Sequence, residues 1–110
     1  MSIREKFLAD VTAFDVVPFE GYFLRPLKKD VFSECEAIIS DEHRSAKQNT
    51  RLRWVALRWG LVEENGEPIL TVDDRDSFGS WDHGRVEKLF AKILEISDVT
   101  PADKEEFEKN

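Results

Sequence analysis

The chain lacks most of what would declare a chemistry. Its 110 residues hold one cysteine, Cys35, so no intrachain disulfide can form and the cytosol is the natural compartment. No apolar run approaches the ~18 residues that span a bilayer. The N-terminus, MSIREKFLAD, has charges every few residues and no apolar segment of the kind a signal peptide needs. Four prolines and five glycines are too few for a loop-rich all-β fold. There is no GxSxG, no glycine-rich phosphate loop, no HExxH and no CxxC. An enzyme is therefore not expected, and neither is a cofactor.

What is present is charge, unevenly spread. Charged residues make up 35% and apolar residues 41%, enough apolar content for a core beneath much exposed helix surface. The formal net charge is -7. Residues 1–43 hold nine acids and five bases, and residues 63–110 hold fourteen acids and six bases. Between them, the stretch 44–62, RSAKQNTRLRWVALRWGLV, carries Arg44, Lys47, Arg51, Arg53 and Arg58 and no carboxylate. An acidic chain is repelled by nucleic acid and by anionic membrane, so neither is the default partner. The length suits one domain, 1–110, which can bury roughly 65% of its unfolded surface without staples.

Taken in order, Ile3, Phe7, Leu8 and Val11 fall at helical spacing after Ser2, a candidate cap with Glu5 three residues on. FDVVPF and YFLR flank Glu20-Gly21 and read as two short strands around a turn, with Pro18 confining the first to an edge. Pro26 is placed to open a helix, in which Leu27, Val31, Phe32, Cys35, Ile38 and Ile39 form one apolar face. Residues 40–48 read as an exposed loop, and Asn49 or Thr50 as the cap of a helix through Val62. Within it Leu52, Val55, Ala56 and Trp59 make one stripe, with Trp54, Leu57 and Leu61 beside it. Gly60 marks either a fraying end or a close contact. Asn65-Gly66 signals a turn, and Thr71 with Asp74 a capped short helix ending at Gly79. Ser80 or Asp82 starts a helix with Val86, Leu89, Phe90, Ile93 and Leu94 on one face, ending near Ser97. Thr100-Pro101 opens a terminal helix anchored by Phe107 alone and frayed over 101–110. The expected fold is mostly α: four to six helices in a small single domain, with room for a short N-terminal β-hairpin.

Candidate chemistry fails residue by residue. Asp74, Asp76 and Gly79 echo a calcium loop, but Phe78 and Arg85 fall where ligands are needed. His83 has no second His or Cys at ligand spacing, so no metal site is expected. His43 sits in the polar loop, and Cys35 on an apolar helix face reads as a small buried hydrophobe. That leaves the basic stretch. Its cations and tryptophans fit phosphate binding with a stacked base, a protein contact, or simply a solvated basic loop. The tryptophans lie on the apolar stripes, which favours protein. Arg44, Lys47, Arg51, Arg53, Trp54, Leu57, Arg58 and Trp59 are the candidate contact residues. Such a basic patch complements the chain's own acidic surfaces, a heterologous contact that builds rings or spirals.

The C-terminal half, from RWVALRWGLVEENGEPIL through the end, resembles the tail assembly chaperones of long-tailed, siphovirus-type bacteriophages and prophages. The elements that carry the resemblance are Glu63-Glu64-Asn65-Gly66, Leu70, Asp73 to Asp76, Leu89-Phe90, Thr100 to Asp103 and Glu108-Lys109-Asn110, in that order. The YFLRPL strand leading to an acidic helix and a basic loop is similar in outline. The resemblance covers about 60 residues well, and Leu70 stands where an aromatic is common. It implies a mostly helical, non-catalytic chaperone that coats the tape measure protein, self-associates into spirals or rings, works in the host bacterial cytoplasm and is absent from the mature virion. It also implies that a longer frameshifted form can recruit tail tube protein. The alternative on the residues alone is a small nucleic-acid-binding phage or prophage regulator using segment 44–58.

Overall fold

A computed structural model of the chain describes residues 2–97. Among them are four α-helices, one 3-10 helix and a small three-stranded antiparallel sheet, so the fold is mostly α as expected. Helix α1 spans Ile3–Thr12, strands β1 and β2 span Val17–Phe19 and Tyr22–Leu24, and α2 spans Lys29–Ile39. Helix α3 covers Ala46–Gly60, β3 covers Leu61–Val62, the 3-10 helix covers Val72–Ser80 and α4 covers His83–Ile96. The expected terminal helix falls outside the described residues.

The hairpin forms where the turn signal placed it. Glu20 and Gly21 have φ of 50° and 87°, the two positive values a tight two-residue loop demands. The register pairs Phe19 with Tyr22 and Val17 with Leu24, and Pro18 sits on the edge strand β1. The other side of β2 pairs with β3, Leu24 opposite Leu61. Leu61 and Val62 thus leave the helix expected to contain them and complete the sheet.

Two helix starts differ from the sequence expectation. Helix α2 begins at Lys29 rather than Pro26, because the Leu27 amide donates to Ser97 Oγ at 3.0 Å and Lys28 stays extended. Helix α3 begins at Ala46, not after Asn49. Ser45 Oγ accepts from the Gln48 amide at 3.2 Å, and Gln48 Oε1 accepts from the Ser45 amide at 2.7 Å. This Ser-x-x-Gln capping box is a stronger start than a lone Asn or Thr cap. The exposed loop expected at 40–48 is therefore helix from residue 46.

The core lies between α2, α3, α4 and the sheet. Leu24, Cys35, Leu52, Leu57, Phe90, Ile93 and Leu94 are its most completely buried side chains. Trp54, Phe78 and Trp81 extend it beneath the 3-10 helix, with Phe78 and Trp81 edge to face at 5.0 Å. Thr71 and Asp74 form the expected capping box of that helix, which runs one residue past Gly79. Gly60 is a close contact. A Cβ there would lie 2.7 Å from Ile93 Cδ1, so glycine lets α3 meet α4.

Helix α1 takes no part in the core. Ser2 caps it as expected, accepting from the Glu5 amide at 3.1 Å, yet none of its residues is buried. It leaves the body through Phe14, which is packed across Gly66 in the Asn65-Gly66 turn. Gly66 has a φ of 91°, and a Cβ there would come within 2.9 Å of the Phe14 ring.

Candidate protein-binding surface

Surface chemistry in this molecule starts from which charges are already satisfied. The sequence-predicted contact residues scatter once the chain folds. Arg53 is 5% exposed, and its guanidinium grips Glu87, with Nε donating to Oε1 at 2.8 Å and Nη2 to Oε2 at 3.4 Å. It also lies 4.7 Å over the Phe90 ring. Arg51 pairs with Glu34 on α2. Arg44 donates through Nε to Asn49 Oδ1 at 2.9 Å and through Nη1 to the Ile39 carbonyl at 3.2 Å, tying the end of α2 to the start of α3. Trp54 and Leu57 are core residues, so neither is presented to a partner. The physical reason is the girth of α3, which meets α2 on one side, α4 and the 3-10 helix on others.

Three predicted residues remain outside. Lys47 is exposed. Arg58 stacks 4.1 Å over the Trp59 ring, and its Nε is buried without a hydrogen-bond partner among the described residues. Trp59 is 39% exposed. The five cations do not make one basic face.

The surface that does assemble is elsewhere. Ile3, Phe7 and Val11 follow one another at four-residue spacing along α1, at 88%, 60% and 59% exposure, with Leu8 beside them. The stripe runs into a cleft of about 790 Å³ whose walls include Val11, Phe14, Leu27, Trp59 and Pro68. Arg25, Lys28 and Lys29 rim it against one carboxylate, Glu67. Arg25 lies 3.5 Å over the Phe14 ring and donates through Nε to the Pro26 carbonyl at 3.1 Å. Partial burial pulls its pKa below the usual guanidinium value. None of the three rim cations is in an ion pair with a described residue. RPLKK, three cations in five residues with no acid, was the sequence signal for this rim.

A second, smaller cleft of about 370 Å³ lies by Asn49, Arg53, Phe78, Trp81 and His83. Its one buried cation is already held by Glu87. Cys35 is buried, and burial first, then Glu34 and Glu36, push its thiol up to about 12, so it is a poor nucleophile. Asp41 is held below the usual carboxylate range by the Gln48 side chain and the His43 amide, a loop-closing role. Among the described residues no group of three His, Cys, Asp or Glu side chains is placed to hold a metal. No helix among them is long and apolar enough to cross a membrane.

Comparison of the chain with protein-family models, with curated proteins and with solved structures finds no match.

Proposed function

We propose that the chain is a non-catalytic assembly chaperone of the phage-tail type, acting in the host bacterial cytoplasm. It holds apolar helical segments of a tape measure protein and associates with copies of itself during tail assembly. One observation carries the client-binding half of this reading. The apolar stripe of α1 has no cover among the described residues. An isolated helix of ten residues is marginal in water. A second apolar helix laid along Ile3, Phe7, Leu8 and Val11 supplies the missing contact, a helix-against-helix recognition that needs no catalytic group. The charge pattern supports a protein client over nucleic acid. Arg53 and Arg51 are spent on internal carboxylates, so segment 44–58 offers phosphates no continuous basic face.

The gene neighbourhood tests the reading first. A very long tape measure gene downstream and a tail tube gene upstream are expected. A locus without either overturns it. A tape measure fragment from that locus, co-expressed with the chain, is then expected to co-purify. Phe7→Glu combined with Val11→Glu should abolish co-purification with helicity retained. A fragment that never associates with the wild-type chain would sink the proposal.

A further inference from the structure

The cleft at the foot of α1 carries cations where a helix disfavours them. Lys28 is the N-cap of α2 and Lys29 its first residue, at the positive end of the helix dipole. Neither side chain makes a capping bond or an ion pair with a described residue, and both are exposed. With Arg25 they face an apolar floor of Phe14 and Trp59. Such a rim suits an occupant that is apolar and acidic together.

This same chain presents that chemistry a few residues away. From Gly60 to Gly84 it carries seven carboxylates and a single base, Arg75. Within that span Val72 is 75% exposed and Ile69 is 41% exposed, beside Asp73 and Asp76. Asp73 and Asp76 are exposed and their side chains make no hydrogen bond or ion pair with a described residue, whereas Asp74 is engaged by Thr71. The acidic segment does not fill its own cleft: Pro68 forms part of the cleft wall, none of residues 69–76 lines it, and Phe78 of the 3-10 helix packs on Trp54.

We infer that the cleft rimmed by Arg25, Lys28 and Lys29 receives segment 69–76 of a second copy of this chain. Ile69 and Val72 seat against Phe14 and Trp59, and Asp73 and Asp76 meet the lysines. This deepens the self-association part of the proposed function and moves its contact from segment 44–58 to segment 25–29. It leaves Ile3, Phe7 and Leu8 of the α1 stripe to the client, Val11 being shared with the cleft wall. It is tested without any client, so its failure and that of client binding are distinguishable.

The experiment is the mass of the purified full chain by light scattering at low salt. The wild type is expected to exceed the monomer mass. Lys28→Glu with Lys29→Glu should weaken association at least about tenfold, as should Asp73→Lys with Asp76→Lys. The first pair places negative charge at a helix N-terminus, where the dipole favours it, so α2 is not put at risk. An equimolar mixture of the two variants restores opposite charges across the contact and is expected to regain the lost mass. A monomeric wild type at about 100 μM, well above the micromolar range of weak specific interfaces, overturns the inference. So does a mixture that stays monomeric. A chain that associates only after residues 98–110 are deleted would give the cleft to that acidic segment and would also overturn it.

Discussion

Helices α1 and α3 begin alike and end in opposite circumstances. Each opens on a serine whose side chain accepts from the amide three residues on, and each carries an apolar stripe at helical spacing. Helix α3 buries seven of its fifteen residues, a charged arginine among them, and α1 buries none of its ten. A stripe says that a helix wants a partner. It does not say that the partner belongs to the same chain. In α3 the partners are α2, α4 and the sheet. In α1 none is found among the described residues, and the apolar side chains are exposed beside a cleft.

The sharpest way to break this contrast is to empty the core side. Leu57→Ala removes a side chain that is 1% exposed and should cost about 2–5 kcal/mol, read by urea denaturation. Next comes the ion pair that lets α3 bury a cation. Glu87→Ala leaves the Arg53 guanidinium uncompensated and should cost about 2–3 kcal/mol. That is less than a fully enclosed pair would lose, because the Glu87 side chain keeps 29% of its exposure. Arg53→Met should be the milder change, within about 1 kcal/mol, since the stranded partner can reach water. If the two variants cost the same, the pair matters through packing and not through charge.

Smaller effects sharpen the picture. Gly60→Ala should destabilise by about 1–2 kcal/mol, although alanine is the better helix former, because the added carbon meets three carbons of the enclosed Ile93 side chain. Cys35 gives a pH test. Its thiol is pushed up to about 12 in the folded protein, so the unfolded chain ionises first. The unfolded state then holds fewer protons, and stability declines as pH rises above the ordinary thiol range toward 12. Cys35→Ala should remove that decline. On the other side of the comparison, Phe7→Glu should change stability by no more than about 0.5 kcal/mol. A loss above about 2 kcal/mol would show that α1 belongs to the core after all.

Much of this was legible from residue order. Helix α4, its Asp82 cap and its end at Ser97 follow from periodicity and caps. So do the hairpin at Glu20-Gly21 and the box at Thr71. The errors have local causes. A helix was expected to open at Pro26, but a distant hydroxyl on Ser97 takes the Leu27 amide, a contact that spacing cannot reveal. The start of α3 is written in Ser45 and Gln48, a capping box set in a polar segment with no apolar period to point to it. The candidate site was legible only in part. Trp59 and the pull of opposite charges were seen, but charge counting cannot tell which cations fold against carboxylates. Arg51 and Arg53 do so, and Lys28 and Lys29 do not. The apolar stripe of α1 is legible as a stripe, but periodicity reports amphipathicity and not what covers it.

The bond from the Leu27 amide to Ser97 Oγ divides the molecule in time as well as in space. Ser97 Oγ also donates to the Ile93 carbonyl at 2.6 Å, so the hydroxyl is held at both ends. Residues 27–97 are thereby clasped into a loop that contains α2, α3 and α4, while α1 hangs outside it. Amide hydrogen exchange should follow that boundary. The amides of α3 and α4 should exchange only through global opening, and those of α1 through its own fraying, orders of magnitude sooner. Helix α1 can thus unfold and refold while the clasped body stays native.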